Sequence, residues 1–361
     1  MSSGSVPVGQ SCIERERNSR KAMMNFALTG AAGYVAPRHL RAIRDTGNRL
    51  VAAVDPHDSV GLLDSFFPDA AFFTEFERFD RHLEKLRRGA EASRVSFVTV
   101  CSPNHLHDAH IRVALRVGAD AICEKPLVLN PWNLDVLSEL ERETGRRVYT
   151  VLQLRVHPAL KDLRESIRGG AASHHARHSV LLSYVTSRGQ WYRYSWKGNP
   201  EKSGGLPTNI GIHFFDLLVW LFGPVRDAEM HVDGATRASG FLELQNADVS
   251  WFLSIDQADL PFAPEPGKKT TSRSISIDGR EIEFSEGFTD LHTRVYEATL
   301  AGQGFGIEDA RPSIELIDRL RRKRPGRERF PRHPSLTGAP GKGRRVWPSS
   351  WTKASRFGKR V

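Results

Sequence analysis

From Met24 onward the chain alternates short apolar runs with amphipathic stretches. "NFALTG" is an apolar strand running into glycine, and "PRHLRAIRDTG" then carries apolar residues at helical spacing, Leu40 and Ile43. "RLVAAVD" and "VSFVTVCSP" read as further strands, followed by a helix in "HDAHIRVALRVG", a strand in "DAICEKP", a helix in "NLDVLSELERETG" and a strand in "RVYTVLQLR". Strands alternating with helices predict βαβ units on a parallel sheet over residues 24–155.

The texture then changes. A helix over about 157–168 precedes a long strand, "ARHSVLLSYVT", and an apolar helix over 206–222. "DAEMHVDG", "SGFLELQN", "DVSWFLSIDQ", "SRSISIDG" and "REIEFSEG" follow as strands, with a hairpin turn at Asp278-Gly279. "FTDLHTRVYEATLAG" and "IEDARPSIELIDRLRR" close the folded body as helices. The expected fold is therefore an α/β Rossmann domain over 24–155, then an α+β domain over 156–322 with an open-faced, mostly antiparallel sheet. The terminal helices are free to pack back on the first domain. Residues 1–23 read as a disordered extension, and 323–361 as a basic disordered tail without periodicity. The tail's composition departs so sharply from the body's that it is either an altered reading frame or a genuine basic appendage.

Charge sharpens this division. The net charge of +10 is concentrated in residues 321–361, which hold 14 Lys/Arg and one acid; the preceding chain carries 38 basic and 41 acidic residues. That removes the case for a nucleic-acid surface on the body. No run of 18 or more apolar residues occurs, so no membrane span is expected. Cys12, Cys101 and Cys123 are too widely spaced for a disulfide framework or a zinc site, which fits a cytoplasmic setting and no metal.

Candidate chemistry sits at the strand ends. In "GAAGYVAPRH", Gly30 permits a tight turn, Gly33 allows backbone to approach a pyrophosphate, and Ala36 packs the helix, whose N-terminus faces the phosphates. Asp55, ending the second strand, suits the ribose hydroxyls of NAD and repels a 2′-phosphate. "CSPNHLH" puts Ser102, Pro103 and Asn104 where a nicotinamide would lie, with His105 and His107 as ligands or helix caps. "CEKPL" places Lys125 at the mouth of the sheet before Pro126, and a cis Lys125–Pro126 bond is expected. Within the apolar helix, Asn209, His213 and Asp216 recur at spacings of four and three and so share a face. Unpartnered, each would cost about 1–3 kcal/mol, so the stripe either has partners or faces a ligand.

Together these segments resemble the glucose–fructose oxidoreductase / inositol dehydrogenase (Gfo/Idh/MocA) family. "GGLPTNIGIHFFD", Gly204 to Asp216, matches that family's second-domain motif, with Asn209 where many relatives have Asp. "ICEKPLV", "LQLRVHP", "TSRGQWYRYSWKGNPEKSGG" and "EFSEGFTDLHTRVYE" are similar to the bacterial UDP-N-acetylglucosaminuronate dehydrogenases. The resemblance implies NAD-dependent oxidation of the sugar's C3′ hydroxyl in lipopolysaccharide O-antigen synthesis. It implies Lys125 and His213 as the catalytic pair, either one the base. It implies cofactor contacts from Gly30, Ala31, Gly33, Tyr34, Val35, Asp55, Ser102, Pro103, Asn104, His107, Glu124, Lys125 and Gln153. Substrate contacts are implied for Lys125, Arg155, Ser187, Arg188, Trp191, Tyr192, Lys197, Asn209 and His213, with Asp216 orienting His213 or serving structure. It further implies a homotetramer, and in some members 2-oxoglutarate as the acceptor that recycles NADH. Two rival readings stand beside it: another sugar or cyclitol dehydrogenase of the family, and a non-catalytic NAD-sensing regulator.

Overall fold

The computed structural model describes residues 23–170, 177–263, 270–282, 290–322 and 328–336. The disorder expected of 1–22, 323–327 and 337–361, and most of the strand expected in "REIEFSEG", lie outside these residues.

The first sheet contains β1 (Asn25–Thr29), β2 (Arg49–Val54), β3 (Ala71–Phe73), β4 (Phe97–Val100), β5 (Asp120–Cys123) and β6 (Val148–Thr150). All pairings are parallel, in the order β3-β2-β1-β4-β5-β6. This doubly wound order reverses direction between β1 and β4, and ligands bind outside the carboxyl ends of the strands at that reversal. The central strands are buried on both faces, which is why they read as unbroken apolar runs. Helices α1 (Ala36–Asp45), α2 (Phe76–Arg88), α3 (His107–Arg116) and α4 (Pro131–Thr144) cover them. Strand β3 and helix α2 escape the sequence pattern: β3 has three residues, each only partly buried, and α2 buries just Phe79 and Leu83.

After helix α5 (Pro158–Gly170), the second sheet contains β7 (His178–Thr186), β8 (Val225–Asp233), β9 (Arg237–Leu244), β10 (Ala247–Ser254), β11 (Thr271–Ile277) and β12 (Arg280–Glu281), in the order β12-β11-β7-β10-β9-β8. Only β7 and β10 run parallel. One face packs on helix α6 (Ile212–Phe222), where Phe215 meets Trp251 edge-to-face at 5.2 Å. Each large apolar side chain buried there contributes about 1.5–3 kcal/mol. A helical stretch over Pro200–Phe222 is long and apolar enough to cross a membrane by composition, yet 72% of that window is buried inside the fold.

Helices α7 (Leu291–Leu300) and α8 (Ile307–Arg322) return to the first domain and bridge the two: α7 packs on α1, and α8 on α4 and α6. Residues 328–336 then lie on the sheet's other face. Phe330 stacks on Phe241 at 4.6 Å, and buried His333 stacks on Phe252 at 5.6 Å. The Arg329 amide and guanidinium meet Glu229 and Asp227. For these residues the expectation of no packed structure in 323–361 is corrected: their aromatic rings find apolar partners on alternate positions of β9 and β10.

Candidate active site

The glycine turn follows β1 directly. Gly30 has φ +84°, and a Cβ there would lie 2.5 Å from the Cys101 carbonyl oxygen, so only glycine fits. Gly33 is less constrained, its nearest atom being the Gly30 carbonyl oxygen at 3.0 Å. No side chain caps α1; its Ala36 and Arg38 amides donate to the Gly33 and Val35 carbonyls within the turn, and Pro37 has no N–H to offer. Asp55 reaches back from the end of β2, its Oδ2 accepting from the Ala32 amide at 3.0 Å and its Oδ1 from the His57 amide at 2.9 Å. The carboxylate thus shapes the glycine turn as well as standing at the β2 end. Ala31 is buried in the turn, Val35 half-buried, and Tyr34 largely exposed, with the Arg38 guanidinium 5.5 Å from its ring.

Lys125 follows β5, and the Lys125–Pro126 bond is cis, as the sequence leads one to expect. Lys125, Gln153, His213 and Asp216 line one cavity of about 10 Å³ with Leu152, Leu154 and Ile212. Such a space holds about one water-sized group. Lys125 and His213 therefore border the same small cavity from different domains. Burial lowers the Lys125 pKa, Glu124 opposes this, and Arg38 and Arg188 add to it. Burial, reinforced by the Lys125 charge, holds His213 well below the usual imidazole range. A neutral imidazole beside an amine of weakened basicity is suited to orient a hydroxyl and accept its proton.

A π-helical turn over Pro207–Gly211 precedes α6 and carries Asn209, whose Nδ2 donates to the buried Tyr192 hydroxyl at 2.6 Å. Ser187 is half-buried, its amide donating to the Thr270 carbonyl. Trp191 is exposed and lies edge-on to Tyr192. Lys197 Nζ stands 5.3 Å from the Trp191 ring and 5.1 Å from that of Trp196. Arg188, Tyr192 and Arg193 border a second cavity of about 170 Å³ with Asp256 and Gln257.

The folded body matches the oxidoreductase family, NAD-binding Rossmann fold of Gfo/Idh/MocA over residues 24–152, and that family's C-terminal alpha/beta domain over 178–258. The chain belongs to the Gfo/Idh/MocA oxidoreductase family. Among solved structures, the WlbA (WbpB) dehydrogenase from Thermus thermophilus, in complex with NAD and UDP-GlcNAcA, is 53% identical, with a TM-score of 0.80 over 86% of this chain and 99% of that one. The WlbA dehydrogenase from Bordetella pertussis, 20% identical with a TM-score of 0.67 over 84% of this chain and 95% of that one, shares the fold. D-glucoside 3-dehydrogenase of Escherichia coli is 29% identical over 37% of this chain and 37% of its own length. The first curated relatives are matched over little more than a third of their length.

Four of the residues expected at this family's site prove to be engaged elsewhere. Arg155 was expected to meet substrate anions. Its Nε and Nη2 instead donate to Asp216 at 3.0 and 2.7 Å, and its Nη1 and Nη2 to the Asp309 carboxylate and carbonyl at 2.9 and 2.8 Å. Asp216 is thus bound to Arg155, its carboxyl pushed up by burial against the pull of that guanidinium. His107 was expected at the cofactor. It is buried, with Nδ1 2.7 Å from the Pro126 carbonyl and Nε2 2.8 Å from that of Ser102, and so ties the two loops together. Glu124, also expected there, is buried between two histidines. Asn104 is buried and donates to the Ser203 carbonyl at 3.0 Å, joining the domains rather than presenting its amide nitrogen to a ligand. Ser102 is buried, its Oγ 2.9 Å from His110 Nδ1; Pro103 is half-buried and His105 exposed.

The residues that sequence reasoning missed are those two histidines, His39 and His292, with Tyr296 and Thr99 behind them. His39, Glu124 and His292 are of metal-ligating types, with ligand atoms within 4.8 Å of one another, but each Nε2–Oε1 distance is 3.0 Å, that of a hydrogen bond. A hint was available in "APRHLRAI" and "DLHTRVYE", where a histidine sits on the apolar side of each helix.

Proposed function

We propose that the protein oxidises the C3′ hydroxyl of UDP-N-acetylglucosaminuronic acid to the 3-keto sugar, with NAD as hydride acceptor, in making a sugar for lipopolysaccharide O-antigen. The observation that carries this reading is that Lys125 and His213, from different domains, line one small cavity. The 53% identity to a dehydrogenase solved with NAD and UDP-GlcNAcA, over nearly that protein's whole length, supports the substrate.

The residues present fit NAD. The Gly30 turn leaves no room for a side chain where backbone must approach a pyrophosphate, and Asp55 closes β2. When bound, NAD supplies the hydride acceptor. Lys125, as the neutral amine, takes the C3′ hydroxyl proton onto Nζ, while His213 holds that oxygen through its ring. General-base help of this kind contributes about 10²–10⁴-fold. Arg188 and Lys197 provide cations for the diphosphate and carboxylate of the substrate. Trp191 offers a face for uracil or sugar, and Asn209 with Tyr192 a polar edge for a hydroxyl.

The related Thermus dehydrogenase was also solved with NAD and alpha-ketoglutarate, which supports 2-oxoglutarate as the compound that restores NAD here. A homotetramer and a cytoplasmic setting complete the reading; Cys101 and Cys123 are buried free thiols, in keeping with a reducing compartment.

The test is to mix purified protein with NAD and UDP-N-acetylglucosaminuronic acid, follow NADH, and seek by mass spectrometry a product lacking two hydrogens. Turnover with inositol or simple glucosides but not with the UDP-sugar would move the protein to another branch of the family. Light scattering reads the oligomer.

A further inference from the structure

Beneath Lys125 lies a buried polar cluster that the proposed reaction leaves unused. Glu124 Oε1 is 3.0 Å from His39 Nε2 and 3.0 Å from His292 Nε2. His39 Nδ1 is 2.9 Å from the Tyr296 hydroxyl, which is 2.8 Å from Thr99 Oγ1. These five side chains come from α1, the end of β5, α7 and β4, and none is more than 6% exposed.

With both imidazoles neutral, the protons in this cluster have one consistent arrangement. A carboxylate oxygen only accepts, so both Nε2 atoms carry hydrogen. A neutral His39 then accepts at Nδ1 from Tyr296, whose oxygen accepts from Thr99. Donation runs from Thr99 through Tyr296 and His39 to Glu124, and from His292 to the same oxygen. The other carboxylate oxygen, Oε2, lies 3.3 Å from the Lys125 amide nitrogen. An unpaired carboxylate at this depth would cost several kcal/mol, and the two imidazoles are what make it tolerable.

We propose that His39 and His292 are positioning residues for the reaction: by donating to one oxygen of Glu124 they hold its carboxylate as an anion directly behind Lys125, and so set where Lys125 stands and how readily it gives up its proton. This rests on the assignment of Lys125 as the base. The electrostatics agree with the geometry. Burial pushes the Glu124 carboxyl up, but hydrogen bonds from His292 and His39 outweigh it and hold the group well below the usual range. Glu124 in turn is the group that raises Lys125 against burial, Arg38 and Arg188. His213 senses the charges of Lys125, Glu124, Arg273 and His292. Cys101, Cys123, His107 and Tyr296 also sense the Glu124 charge. On this proposal the acid limb of the rate profile reflects the burial of Lys125 as offset by a carboxylate that never touches substrate.

The experiment compares His292→Asn with His292→Gln, and His39→Asn with His39→Gln. A glutamine amide reaches the place of Nε2 and keeps the donor; an asparagine amide falls short and loses it. The readout is the pH dependence of single-turnover NADH formation from UDP-N-acetylglucosaminuronic acid, with NAD affinity measured in parallel. Either asparagine variant should move the acid limb to lower pH by about one unit, since a weakened anion no longer stabilises the ammonium. Its rate at neutral pH should fall about tenfold from misplacement of the base, with NAD affinity kept within about threefold. The glutamine variants should restore the limb. Asparagine variants that melt lower but keep the wild-type profile would overturn the proposal, because a merely structural role moves stability alone. Lys125→Met separates the two levels: if it turns over normally, the base assignment falls and this inference with it. If it is inactive while the asparagine profiles stay unmoved, only this inference falls.

Discussion

Lys125 and His213 line one small cavity from two different domains, and burial, seconded by Lys125 in its protonated form, disfavours charge on His213. A pair arranged this way divides the labour: one group moves the proton and the other holds the oxygen. Lys125→Met should lower the rate of NADH formation about 10²–10⁴-fold, far more than it changes NAD affinity. His213→Phe, which keeps the ring and loses the hydrogen bond, should lower the rate less and raise the KM for the sugar. Steady-state kinetics beside NAD titration calorimetry checks both.

Arg155 is expected to matter for stability rather than for substrate affinity. Arg155→Met leaves Asp216 buried without its partner and should cost about 3–5 kcal/mol in urea unfolding. Adding Asp216→Leu should recover much of that loss, because the orphaned charge goes with it. If Arg155→Met instead raises the KM of a normally stable protein, the tie to Asp216 and Asp309 is not its main work.

His110 gives a pH prediction with a definite sign. It is buried against Phe76, between Ser102 and Thr29, and burial pulls its pKa from 6.5 to about 4. The unfolded chain therefore binds more protons between those values. The stability this group supplies is complete above pH 6.5 and is lost as pH falls towards 4. The shift is worth on the order of 3 kcal/mol, and thermal melts of His110→Gln should show a flatter decline across that window.

Two glycines should separate cleanly. Gly30→Ala puts a Cβ into the Cys101 carbonyl at a left-handed φ and should abolish NAD binding or folding. Gly33→Ala meets only one carbonyl oxygen at 3.0 Å and should weaken NAD binding while leaving the fold intact. Circular dichroism with NAD titration distinguishes the two.

Truncation after Arg322 should uncover Phe241 and Phe252 and strip Asp227 and Glu229 of Arg329. The truncated protein should melt lower and bind more of a hydrophobic dye. An unchanged melt would mean that residues 328–336 contribute little to the sheet.

The parallel sheet, the order of its motifs and the helix bearing His213 were legible because apolar periodicity and glycine placement are local signals. Strand β3 was not, since three half-buried residues leave almost no pattern. The side-chain partnerships were less legible still. Arg155 looked like an anion receptor because an arginine near a cleft is equally ready for a phosphate or a carboxylate, and only the fold brings Asp216 and Asp309 to it. His39 and His292 stand 85 and 168 residues from Glu124, and no local rule announces a meeting at such range. Residues 328–336 were lost inside a compositionally odd tail whose average concealed two aromatic anchors, Phe330 and His333.

The clasp of Arg155 on Asp216 and Asp309 also bears on how the two halves of the site stay in register. It joins the exit of the first domain to both α6 and α8. The helix that carries His213 is thereby pinned from the side of the domain that carries Lys125, so one buried arginine works as the alignment dowel of a two-part tool.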